Sequence, residues 1–151
     1  MRPPLRQSLA MMAAALWWGS LTGLGFVVVP LLFKHLGNPA TAGGIAAKLF
    51  TAQTWLSVAC AMLMLLAFNK KDVLTPAPYA AAAMKFIVAG LLLALLVEFG
   101  VAPRIVSVRA EGGNLRLWHD LGSAMYFGQW LCAGFTLWRL ARRPSSFPPP
   151  A

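Results

Sequence analysis

Between two apolar runs the chain reads VEFGVAPRIVSVRAEGGNLRLWHD (97–120). Three of its four acidic residues, Glu98, Glu111 and Asp120, fall there together with His119, Arg104, Arg109 and Arg116. On a helix Arg116, His119, Asp120 and Ser123 stand at i, i+3, i+4 and i+7 and share one face. Carboxylates, an imidazole and guanidiniums gathered in this way can bind a small solute or an ion. They serve a metal less well, because His35 and His119 are the only imidazoles and two make a thin ligand set. The chain has no HExxH, no CxxC, no spacing that suggests a Ser-His-Asp arrangement and no histidine pair placed for haem. It therefore does not read as an enzyme, and no cofactor or metal is expected.

The elements that position these residues follow from composition. The chain is 59% hydrophobic and 11% charged, with a mean hydropathy of +0.67; soluble domains carry roughly 25% charged residues. The excess lies in four runs, 9–33, 49–68, 80–102 and 121–138, the third interrupted only by Lys85 and Glu98. A membrane span needs about 20 such residues, and lipid leaves a helix as the form that satisfies its own backbone. The first run exceeds the roughly 7–15 residues of a signal peptide's apolar region, so it reads as a retained helix. The expected fold is all-α, an integral membrane antiparallel four-helix bundle with helices at about 8–35, 41–68, 79–102 and 115–141. Gly37 and Pro39 end the first helix, and 104–114 forms the one sizeable loop, closed by EGGN. Residues 1–7 form a cytoplasmic N-terminus, and RRPSSFPPPA (142–151) a disordered Pro-rich tail.

A net charge of +9 would point to nucleic acid in a soluble protein. Here the basic residues punctuate helix ends, so the lipid bilayer is the expected partner and nucleic acid is not. With both termini on one side, that side holds Arg2, Arg6, Lys70, Lys71, Lys85, Arg139, Arg142 and Arg143, against Lys34, Lys48, Arg104, Arg109 and Arg116 on the other. The positive-inside rule puts both termini in the cytoplasm of a cell membrane, the inner membrane in a bacterium. Trp118 and Trp138 lie roughly 30 Å apart on a helix, the spacing of two interfacial belts. Ala15, Gly19 and Gly23 in the first helix, and Ala124, Gly128 and Cys132 in the fourth, read as bundle seams. Cys60 and Cys132 read as packing residues.

In this topology His35, Lys48, Glu98, Arg104, Arg116, His119 and Asp120 gather at the non-cytoplasmic end. Lys48 and Glu98 fall within the apolar layer, where a mid-bilayer charge costs about 2.5–3.5 kcal/mol and less near the interface. They are expected to pair. Pro30 removes a backbone donor and is expected to kink the first helix and splay that end. The candidate binding cluster is thus Lys48, Glu98, Arg104, Arg116, His119, Asp120 and Ser123. No deep polar pathway is expected.

FVVVPLLFKHL, AGGIAAKLF, EFGVAPR and LRLWHDLGS resemble, in order and spacing over about residues 12–140, the four-helix membrane proteins catalogued as domain of unknown function 4149, the transmembrane protein 205-like group. Phe33-Lys34, Gly44, Lys48-Leu49-Phe50, Pro103-Arg104, Arg116, His119 and Ser123 carry the match. Glu98 stands where the pattern has an amide, and Ala102 where it has an acid. The resemblance implies an integral membrane protein, with one branch associated with drug or metal export, and supplies no reaction. The leading reading is binding or transport of a small solute or ion at the polar cluster, with a homo-oligomer or a membrane partner. A structural or assembly subunit of a membrane complex is the alternative.

Overall fold

The computed structural model describes residues 5–68 and 78–142, and among them every regular element is helical. Residues 1–4, the Lys70-Lys71 pair and all of the expected tail except Arg142 lie outside the described residues. Helix α1 runs continuously over 5–35, as Leu5–Gly23, a π-helical turn at Leu24–Val28 and Val29–His35. Helix α2 is Pro39–Ala67. Helix α3 covers 78–111, as Pro78–Leu96, a second π turn at Val97–Val101 and Ala102–Glu111, and α4 is Leu115–Ala141. Each helix packs against its two neighbours in the order α1, α2, α3, α4 and back to α1, with α3–α4 the most extensive contact.

The third helix departs from its expected end. It continues through Pro103 to Glu111, so most of the expected 104–114 loop is helical. The π turn explains why. The Ala102 N–H donates to the Val97 carbonyl, five residues back, and this slip of one residue restarts an α-helix whose first turn holds Pro103, where a missing N–H costs little. The same device accommodates Pro30, with the Val29 N–H donating to the Leu24 carbonyl. The chain finally turns at Gly112 and Gly113, whose φ values of +89° and +139° suit residues without a Cβ. Asn114 then caps α4, its Oδ1 accepting from the Leu117 N–H at 3.0 Å. Asn38 does the same for α2, accepting from the Ala40 N–H at 2.9 Å.

Three of the helices, Leu5–His35, Pro39–Ala67 and Ala81–Glu111, are long and apolar enough to cross a membrane. Helix α4, also expected to qualify, is not among them, because Tyr126, Gln129 and Thr136 dilute its apolar content. Its polar residues turn inward, with Gln129 and Thr136 buried, while Leu121, Phe127, Leu131, Phe135 and Trp138 stay exposed. The composition of α4 therefore understates how apolar its outer face is.

Ala10, Ala13, Ala14, Trp17 and Leu21 form the buried stripe of α1. Trp17 is fully buried and crosses to α3 and α4. A Cβ built at Gly90 would lie 2.7 Å from its Cη2 and 3.1 Å from the Cβ of Cys132. In α4, Gly128 meets Leu93 of α3, so that expected seam is internal at Gly128 and Cys132. The α1 seam is not. Ala15 and Gly19 are exposed, and a Cβ at Gly19 or Gly23 would meet nothing within 4 Å, because the bulky Trp17 stripe occupies the inward face instead. Gly90→Ala is accordingly expected to cost about 1–3 kcal/mol through overpacking, while Gly19→Ala costs nothing. Comparing their unfolding in detergent with that of the parent checks both.

Candidate functional site

Glu98 sits in the α3 π turn, half-buried, and its Oε1 accepts a hydrogen bond from the Thr51 hydroxyl of α2 at 2.8 Å. Lys48 lies one turn before Thr51 and is exposed. The expected Glu98–Lys48 pair does not form, and the one ion pair among the described residues lies elsewhere. Thr51 reaches the carboxylate from deeper in the helix contact, while the long Lys48 side chain carries its charge outward. Lys48→Ala is therefore expected to be tolerated as well as Arg109→Ala, whereas Thr51→Val, which strips the carboxylate of its donor, lowers stability by about 0.6–1.7 kcal/mol. Parallel thermal unfolding of the three variants decides this.

The rest of the expected cluster is at the surface. Arg104, Arg116, His119, Asp120, Ser123 and His35 are all exposed. Arg116 Nε approaches Asp120 Oδ2 at 3.8 Å, with side chains 92% and 72% exposed, a contact that adds little. Among the described residues no three His, Cys, Asp or Glu side chains come together in a way that could hold a metal ion. Cys60 and Cys132 are free thiols.

A buried polar layer was not expected. Gln53 Nε2 donates to Ser20 Oγ of α1 at 2.9 Å and to Ser57 Oγ at 3.4 Å. Gln129 Nε2 of α4 donates to the same Ser57 Oγ at 3.0 Å. The Ser57 hydroxyl in turn donates to the main-chain carbonyl of Gln53 at 2.8 Å, and the Ser20 hydroxyl to that of Trp17 at 2.9 Å. Three helices are thus joined at mid-length, with Gln53, Ser57 and Gln129 all buried. Further bonds tie α4 to α1. Trp130 Nε1 donates to Thr22 Oγ1 at 2.9 Å and the Tyr126 hydroxyl to the Leu21 carbonyl at 2.8 Å. Tyr126 also closes on the α1 π turn, where a Cβ at Gly25 would lie 2.7 Å from its ring. The signal was present in the sequence as isolated Ser and Gln residues inside runs 9–33, 49–68 and 121–138, but a search for charges passes over them.

Residues 12–114, more than half of the chain, match the family model described as a domain of unknown function, DUF4149. The chain belongs to the DUF4149 family. The matched region holds Lys48, Thr51, Glu98 and Arg104, and so the whole Glu98–Thr51 contact is a pairing within the DUF4149 segment. It stops before α4, so Arg116, His119 and Ser123, which carry the sequence resemblance there, lie outside it, as do Asp120, Tyr126 and Gln129. No curated protein and no solved structure matches this DUF4149 chain.

Proposed function

We propose that this DUF4149 protein is a multi-pass membrane protein, folded as an antiparallel four-helix bundle with cytoplasmic termini, that binds a small cation at Glu98 in the outward half of the bilayer. Its distribution of polarity supports the membrane. Gln53, Ser57, Gln129 and Thr136 are buried while Phe26, Trp55, Leu63, Leu66, Leu92 and Phe127 are exposed, the reverse of a water-soluble surface. The order of the α3–α4 contacts, Gly90 with Cys132, Leu93 with Gly128 and Val101 with Gly122, supports antiparallel packing.

Glu98 carries the functional reading. The Val101–Gly122 contact sets Glu98 near the level of Met125, seven residues past Trp118 and so roughly 10 Å inside that end by helical rise. An ionisable group at such depth is expensive and marks a functional site by default. Its protein partner is a neutral hydroxyl, so the negative charge is available to a ligand. A carboxylate beside a hydroxyl supplies one charge and two hard oxygen ligands, which suits a small ammonium or an ion that keeps most of its own water shell. Transport of such a solute through a single four-helix bundle leaves little room for alternating access and would need an oligomer or a membrane partner. Thermal unfolding in detergent with sodium, potassium, magnesium, calcium and methylammonium tests the reading. One of them should raise the melting temperature of the parent and leave Glu98→Gln unmoved; no response to any would defeat it.

A structural or assembly subunit is the second reading, favoured by the Ser20–Gln53–Ser57–Gln129 layer, whose hydrogen bonds all close within one chain. A stoichiometric complex with one membrane protein, together with an unresponsive melting curve, would favour it over cation binding.

A further inference from the structure

The opposite end of the helices carries a different arrangement. All three described acids, Glu98, Glu111 and Asp120, lie toward the end where α3 meets α4 through Gly112 and Gly113. Arg6, Lys85, Arg139 and Arg142 lie toward the other end, and the fourth acid, Asp72, is outside the described residues. Two of these cations share one platform. The Cζ of Arg142 stands 4.5 Å and that of Arg139 5.1 Å from the Trp138 ring centroid. An aromatic face holds a guanidinium without neutralising it, so both charges stay available to an anion. From Trp138 an aromatic rail continues through Phe135, at 6.2 Å, to Phe86 of α3, at 5.2 Å. Phe86 adjoins Lys85, which is exposed in an otherwise apolar stretch.

Lys85 also lies on the outward face of α3, where Ala81, Met84, Val88, Ala89 and Leu92 leave a shallow, open apolar groove along this one helix. From Lys85 to Leu92 the groove runs roughly 10 Å along the helix, within the ~15 Å depth of one leaflet's hydrocarbon. We propose that this flank binds an anionic phospholipid of the cytoplasmic leaflet, with an acyl chain in the α3 groove and the phosphodiester between Lys85 and the Arg139–Arg142 pair. Charge decides the occupant. A second copy of the chain related by a twofold axis normal to the membrane would bring Lys85 toward Lys85, with no described carboxylate at this end to separate them. A phosphodiester instead brings a negative charge in among the three cations, and Arg binds it in a bidentate fork. The inference rests on the bilayer placement proposed above and is independent of Glu98.

Native mass spectrometry of the detergent-purified protein, offered equimolar phosphatidylglycerol and phosphatidylcholine, tests it. The parent is expected to retain one phosphatidylglycerol in preference. Each basic residue near an anionic surface is worth about fivefold in affinity, so Lys85→Gln should weaken the preference about fivefold and Arg139→Gln/Arg142→Gln about 25-fold. Lys34→Gln/Arg109→Gln, at the other end, should leave it unchanged. Equal retention of the two lipids would overturn the proposal. So would an equal loss in the Lys34/Arg109 variant, displacement of the lipid by millimolar inorganic phosphate, or a dimer that excludes lipid from the groove. Failure of the bilayer placement itself would show separately, as a protein monodisperse without detergent that retains neither lipid.

Discussion

Trp17→Ala is expected to be the most damaging single substitution in the chain, lowering stability by about 3–5 kcal/mol. Trp17 is the largest of the fully buried side chains, and it fills the space that Gly90 leaves open on α3. Truncation would leave a cavity between α1, α3 and α4 that Gly90 has no side chain to fill. The loss should come from packing alone, because Trp17 Nε1 is the one buried side-chain nitrogen or oxygen without a hydrogen-bond partner among the described residues. Trp17→Phe, which keeps most of the volume and sacrifices no hydrogen bond, is therefore expected to fall well short of the alanine variant. Unfolding of the three proteins in the same detergent measures this order. An alanine variant as stable as the parent would mean that Trp17 does not hold the helices together.

Glu98→Gln is expected to separate folding from function. The Thr51 hydroxyl donates to Glu98 Oε1; an amide oxygen still accepts that bond, more weakly than a carboxylate, but without the cost of a charge in the apolar layer. Stability in the absence of cations should therefore be close to that of the parent, whereas Glu98→Ala, which removes the acceptor, should lose about 0.6–1.7 kcal/mol. The charge is what the glutamine lacks. A cation held at 100 times its dissociation constant stabilises the parent by about 2.7 kcal/mol, and that whole increment should vanish in Glu98→Gln. If the glutamine variant kept the cation response, the ligand would be elsewhere. If it failed to fold, the charge would have a structural role instead.

Much of the fold was legible because hydrophobic runs and punctuation act locally. Asn38-Pro39 and Gly112-Gly113-Asn114 mark turns whatever the helices pack against. The readings that failed depend on rotation about a helix axis or on register, which a single sequence fixes weakly. Ala15, Gly19 and Gly23 have the spacing of a seam, but Trp17 settles which face of α1 points inward. Pro103 reads as a stop because its missing donor is visible in the sequence, while the π turn that absorbs it is not. Among the candidate site residues, Glu98 stands out in the sequence by the cost of a charge in an apolar run. Its partner was missed because Lys48 offers the stronger attraction on paper, whereas Thr51 has the geometry. The Ser20–Gln53–Ser57–Gln129 layer went unread since uncharged polar residues scarcely interrupt a hydrophobic run. Their contact emerges only when three helices meet.

Site-directed labelling from one face of the membrane tests the bilayer placement on which both proposals stand. In a Cys60→Ala/Cys132→Ala background, Glu111→Cys and Arg142→Cys would each be exposed to a membrane-impermeant maleimide applied to intact cells. Glu111→Cys is expected to react from outside, and Arg142→Cys only after the membrane is opened. Reaction of both from the same side, or of Arg142→Cys alone in intact cells, would contradict the arrangement that puts Glu98 in the outward half.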